Sequence, residues 1–172
     1  AIDHYQRALK LMRSEDNVEG EAQALHSLAK AYRESGDSRQ ALVYSQCAME
    51  CYQELGHMQG VALIHYEQGL NLKALSRNEA ALERFTASLK LARQLSDRVG
   101  IASALTQIGE TFEALGQEQM AIKSLKEAAN HYARLQSPKE QDVLSRLESI
   151  YAQRARFEQA VNQFREAKNG NL

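Results

Sequence analysis

Cys47 and Cys51 stand four residues apart. On a helix that spacing puts two thiols on one face, about one turn apart. A disulfide at that spacing would strain a regular helix, and two cysteines fall short of the four ligands a closed zinc site takes. They read as small residues in or near a helix interface. The five histidines, His4, His26, His57, His65 and His131, are scattered with no metal-ligand spacing. The nine glycines form no phosphate-cradling loop, and the sequence contains no His-Glu-x-x-His, Cys-x-x-Cys or Gly-x-Ser-x-Gly. No catalytic residue, metal site or cofactor is expected, and the chain reads as a non-enzyme.

The elements behind these residues are helices. The 172 residues contain one proline and no tryptophan, and Ala and Leu, both strong helix formers, are abundant. With 21 Lys+Arg against 22 Asp+Glu, the net charge is -1, which argues against a general nucleic-acid binder. No apolar run approaches the roughly 20 residues that cross a bilayer, and no basic segment leads into an apolar stretch as in a signal peptide. A cytoplasmic setting is the expectation.

Sliding the sequence by 40 residues superimposes it on itself. Gly20 and Ala22 fall on Gly60 and Ala62, then on Gly100 and Ala102. Tyr32 falls on Leu72 and Phe112, and Ala41-Leu42 on Ala81-Leu82 and Ala121-Ile122. Leu144, Leu147, Tyr151, Ala160 and Ala167 continue the pattern with the period shortened to 39. Within a unit, Leu25, Leu28, Ala29 and Tyr32 make one helical stripe. Gly36-Asp37 breaks it, and Asp37 or Ser38 caps the next helix. Ser137-Pro138-Lys139-Glu140 is another start signal. Nine helices follow, at about 1–13, 18–35, 38–55, 58–75, 78–95, 98–115, 118–135, 138–153 and 156–168.

These residues resemble the tetratricopeptide repeat. Leu28-Ala29, Gln68-Gly69 and Ile108-Gly109 stand at its Leu-small step. Tyr32, Phe112 and Tyr151 occupy its aromatic position. Ala41, Ala81, Ala121 and Ala160 stand at its second-helix alanine, Tyr5, Phe85 and Phe164 at the next aromatic, and Ala8, Ala48, Ala128 and Ala167 at its closing alanine. The common repeat has about 34 residues. The 40-residue period resembles the long variety of kinesin light chains and bacterial sensor and regulator proteins. Gln68, Leu72, Ser45 and the glycine-free Arg154-Ala155-Arg156 depart from the pattern. The resemblance implies an all-α, right-handed superhelix of antiparallel pairs. It divides into a half-repeat at 1–17, repeats at 18–57, 58–97 and 98–137, and a degenerate, polar capping repeat at 138–172. The orphan first helix suggests a piece of a longer repeat protein, and its bare edge a route to a homodimer.

The resemblance also implies a concave groove lined by the first helix of each pair. Its positions, carried across, are Gln23, His26, Lys30 and Arg33, then Tyr66, Leu70 and Lys73, then Thr106, Glu110 and Glu113. The lining reads as basic at the front, apolar in the middle and acidic at the back, suited to a bipolar extended peptide. Glu67, Ser103 and Gln107 stand where chaperone-tail binders want Asn, Lys and Arg, so no such clamp is expected. The leading expectation is a protein-interaction module. The alternative is a ligand-sensing regulatory domain of a larger signalling or transcription protein.

Overall fold

The computed structural model describes residues 1–169, with side chains described to residue 163. Among these residues eight helices run in sequence: α1 (Ile2–Ser14), α2 (Val18–Glu34), α3 (Ser38–Glu54), α4 (Met58–Ala74), α5 (Asn78–Gln94), α6 (Arg98–Ala114), α7 (Glu118–Arg134) and α8 (Lys139–Asn169). Each packs chiefly on its neighbours in sequence, which makes the chain an α-solenoid.

One loop device joins the helices. After α2, the amide of Asp37 donates to Tyr32 O at 2.9 Å and that of Gly36 to Arg33 O at 3.0 Å. The same six-residue closure recurs from His57 to Tyr52, Arg77 to Leu72, Asp97 to Ala92, Gln117 to Phe112 and Ser137 to Tyr132. It places the middle loop residue in the left-handed region, with φ of 87° at Gly36 and 57° at Ser76. The third loop residue then caps the next helix. Asn17, Asp37, His57 and Asp97 each accept an amide from three residues on.

Helix crossings follow the small-residue positions. Ala41, Ala81 and Ala121 are fully buried. A Cβ on Gly69 would lie 2.5 Å from the Phe85 ring, and one on Gly109 2.7 Å from Leu125 Cγ. In the first repeat the pair is Ala29 with Ser45, whose hydroxyl donates to Leu42 O at 2.9 Å. A large residue thus packs on glycine and a small one stands opposite alanine, which accounts for the Ser45 departure.

The helix count corrects the sequence expectation, because no break forms at Arg154-Ala155-Arg156. That stretch holds neither Gly nor Pro, and Arg154 Nε donates to Glu158 Oε1 at 3.0 Å, one turn on. Glu148 also stands where earlier repeats carry Ala29, Gly69 and Gly109. A carboxylate side chain there blocks the close crossing a folded-back helix needs. The extension is therefore exposed, with Phe157 at 70%, and Ala160 is exposed where its counterparts are buried. The expected packing roles of Phe164 and Ala167 lie outside the described residues.

Candidate peptide-binding face

Alternate helices form one layer. Contacts between α2, α4, α6 and α8 skip the helix between them. His26 Nε2 lies 3.0 Å and Arg33 Nη2 3.6 Å from the Glu67 carboxylate. His26 Nε2 is buried without a formed hydrogen bond to that oxygen, so the contact is one of proximity. Lys73 Nζ donates to Gln107 Oε1 at 3.0 Å and to Glu110. Arg146 of α8 reaches Glu110 Oε1 at 3.3 Å and Glu113 Oε2 at 2.7 Å.

These rungs change the expected electrostatics. Arg33 and Lys73 are bound by the acids of the next helix, and Glu110 and Glu113 are bound by Arg146, so the basic and acidic ends cancel along the layer. Gln23 and Lys30 are exposed on α2, and among the described residues Lys30 makes no ion pair. Glu67 is 8% exposed, held beside Arg33 and His26 of α2 rather than offered to a ligand.

Two cavities open on this layer. One, of about 240 Å³, lies between α4 and α6 over α5, and its walls include Ala62, Leu63, Tyr66, Ala92, Leu95 and Val99. Ser88 is among its lining residues, and its hydroxyl is tied to Ala62 O at 2.8 Å. The other, of about 230 Å³, is polar, with Thr106, Gln107, Glu110, Tyr132, Lys139 and Asp142 in its lining. Tyr66 and Ser103 border both. Tyr66 is fixed edge-on against Phe85, with ring centroids 5.7 Å apart. Burial, with Tyr132 and Glu110 nearby, pushes its phenol above the usual range, so it stays a protonated donor at neutral pH. Thr106 Oγ1 donates to Ala102 O at 2.9 Å, and Ser103 Oγ is 3.3 Å from Tyr132 OH. Leu70 is half-buried and packs on the core. The arrangement offers one apolar socket beside a polar one of hydroxyl, amide and charged side chains, which is binding chemistry. Among the described residues no group of three or more His, Cys, Asp or Glu is placed to hold a metal. No helix among them is long and apolar enough to cross a membrane.

The structure thus brings Tyr66 and Thr106 to the sockets, and His26, Arg33, Lys73, Glu110 and Glu113 to the rungs beside them. Reading each repeat by itself missed Tyr132 and Arg146, and named Gln107 only as a residue unsuited to a chaperone-tail clamp. For Gln107 and Arg146 the signal is a spacing: Lys73–Gln107 and, on the outer layer, Arg93–Glu127 are 34 residues apart, and Glu113–Arg146 are 33. One period less about a turn and a half joins a side chain to the next helix of its own layer.

The tetratricopeptide repeat profile matches residues 1–54 and 60–134. Tetratricopeptide repeat protein 29 of Trypanosoma brucei brucei is 26% identical over 130 residues, which cover 72% of this chain and 26% of that protein. The chain thus spans about a quarter of that curated relative's length. Among solved structures, the apo form of RapI superimposes with TM-score 0.83 at 19% identity, over 96% of this chain and 46% of that one. A Rap protein complexed with Competence and Sporulation Factor gives 0.76 at 24%, over 94% and 45%. A putative kinesin light chain from Podosopora anserina gives 0.65 at 16%, over 99% and 95%. Each shares the fold.

Proposed function

Since the chain belongs to the tetratricopeptide repeat family, whose members generally mediate protein–protein interactions, we propose that the layer of α2, α4, α6 and α8 binds an extended peptide or partner segment. The observation that carries this reading is the pair of adjoining cavities sharing Tyr66 and Ser103. An apolar side chain enters the socket of Ala62, Leu63, Ala92, Leu95 and Val99, and the Tyr66 ring forms its wall. The next inward-facing residue meets Thr106, Gln107 and Tyr132, which ask for a hydrogen-bonding partner. Affinity comes mainly from the apolar anchor, because Lys73, Glu110, Glu113 and Arg146 beside it already pair with one another.

Selection of random linear peptides against the chain tests this. The selected sequences should share a large apolar residue next to amide- or hydroxyl-bearing ones. Val99 is 57% exposed at the rim of the apolar socket, so Val99→Glu puts a carboxylate there without disturbing the core. Affinity should fall at least about tenfold, a loss of about 1.4 kcal/mol, with the far-UV circular dichroism unchanged. Selection without a shared sequence, or full affinity in Val99→Glu, contradicts the reading.

A further inference from the structure

The first helix of each pair starts from the same device. Asn17, His57 and Asp97 stand 40 residues apart. Each accepts the amide of a glycine three residues on, Gly20, Gly60 and Gly100, at 2.9 Å. Two of these acceptors are an amide and a carboxylate oxygen. The third is a ring nitrogen, His57 Nδ1. An imidazole accepts at Nδ1 only while its single proton sits on Nε2, and a second proton turns both nitrogens into donors. Histidine is the side chain that changes charge between about pH 5 and pH 8, whereas amide and carboxylate oxygens remain acceptors across that range. His57 is exposed and the glycine it caps is buried, so solvent protons reach the ring, and the amide it then abandons is left without its acceptor. The added proton also sets a positive charge at the helix end where the dipole disfavours one. Other titratable groups stand on the elements around it. The Tyr52 ring of α3 lies against the imidazole, with centroids 5.3 Å apart. Burial, with Glu67 of α4 and Glu19 of α2, raises that phenol, so it stays neutral while a histidine titrates. His65 is about two turns further along α4.

We propose that His57 is a proton-operated cap on the apolar socket. Gln59, Ala62 and Leu63, from the turns it caps, line that cavity together with Asp97, Val99 and Gly100 from the corresponding start of α6. With His57 neutral, the start of α4 is fixed. With His57 protonated, that turn frays and the socket loses the wall it supplied. The effect on binding rests on the peptide-binding reading given above, and the cap itself does not.

Nuclear magnetic resonance of the isotope-labelled chain from about pH 8 to pH 5 tests it. At the neutral end, the His57 ring shifts should report an unprotonated Nδ1. As the ring takes its second proton, protection of the Gly60 amide, corrected for the intrinsic pH dependence of exchange, should fall about fivefold, the usual effect of losing a cap. The Gly100 amide should keep its protection. The Leu63 methyl resonances, in the socket wall, should move with the same midpoint as the His57 ring. His57→Asn, which borrows the cap of the first repeat, should abolish both changes. A protonated Nδ1 at neutral pH, or Gly60 protection unchanged through the titration, overturns the proposal. A response that survives in His57→Asn belongs to His65 and overturns it as well. Leu63 holding still while Gly60 opens overturns the link to the socket. Failure to select a peptide strikes the binding reading alone, because none of these readouts uses one.

Discussion

Gly69 lies under the Phe85 ring, and the sign of its replacement is set by two opposed magnitudes. Alanine in a helix interior gains about 1 kcal/mol over glycine. Its Cβ would sit 2.5 Å from a fully buried ring, and overpacking of this kind costs about 1–3 kcal/mol. Gly69→Ala should therefore destabilise the chain by about 1 kcal/mol in urea denaturation, whereas a gain would mean the helices do not cross there. His65 offers a second test. It stands where the other repeats have Leu25 and Leu105, its Nδ1 is buried without a partner, and burial, with Arg84 nearby, pushes its imidazole below the usual value. A depressed histidine favours the folded state when neutral. Its contribution is complete above the ordinary value of about 6.5 and is lost as the pH falls from there through the lowered folded value. His65→Leu should flatten the decline in stability between about pH 7 and pH 5 and raise stability at pH 5. An unchanged slope would assign that decline to other groups. Position 65 shows how far sequence reaches at this scale. The 40-residue period sets His65 where Leu25 and Leu105 stand, but a scattered histidine carries no sign in the sequence of its missing partner.

At the scale of elements, the loops and α8 make separate predictions. Each loop needs one left-handed residue, and Gly36 supplies it without strain while Ser76 does not. Ser76→Gly should add about 0.5–1 kcal/mol of stability and Gly36→Ala should cost about 1 kcal/mol, both read from thermal melts. The opposite signs would show that the loops close differently. For α8, Ala155→Pro breaks the helix at a point with few contacts. Helicity should fall with the melting midpoint nearly unchanged, while Leu147→Ala, in the core, should cost about 2–4 kcal/mol. A large drop in the midpoint for Ala155→Pro would mean the extension packs on something. Helix positions were legible because a 40-residue self-match repeats each stripe and each loop. The ninth helix was not, because Ala160 carried the right residue type at the right spacing while Glu148 and the helix-forming Arg154-Ala155-Arg156 worked against the fold-back. A pattern match reads the residues that agree with it and is blind to one that obstructs.

For the whole molecule, the candidate face was legible as a set of positions and not as a field of charge. Tyr66 and Thr106 do border cavities. Arg33, Lys73, Glu110 and Glu113 spend their charge on neighbouring helices, which no reading of one repeat at a time could show. Peptide affinity should accordingly change less than about threefold between roughly 0.05 and 0.5 M salt, in titrations of any selected peptide. A steep loss would assign most of the affinity to charge, at Lys139 of the polar socket or at Lys30, and contradict the apolar anchor as its main source. The most direct test of the proposed function is the map of backbone amide shifts on titrating such a peptide into the isotope-labelled chain. The account predicts shifts concentrated at residues 59–66, 97–107 and 139–143, around the two cavities. Shifts confined to the outer faces of α3, α5 and α7, or to α1, would contradict it.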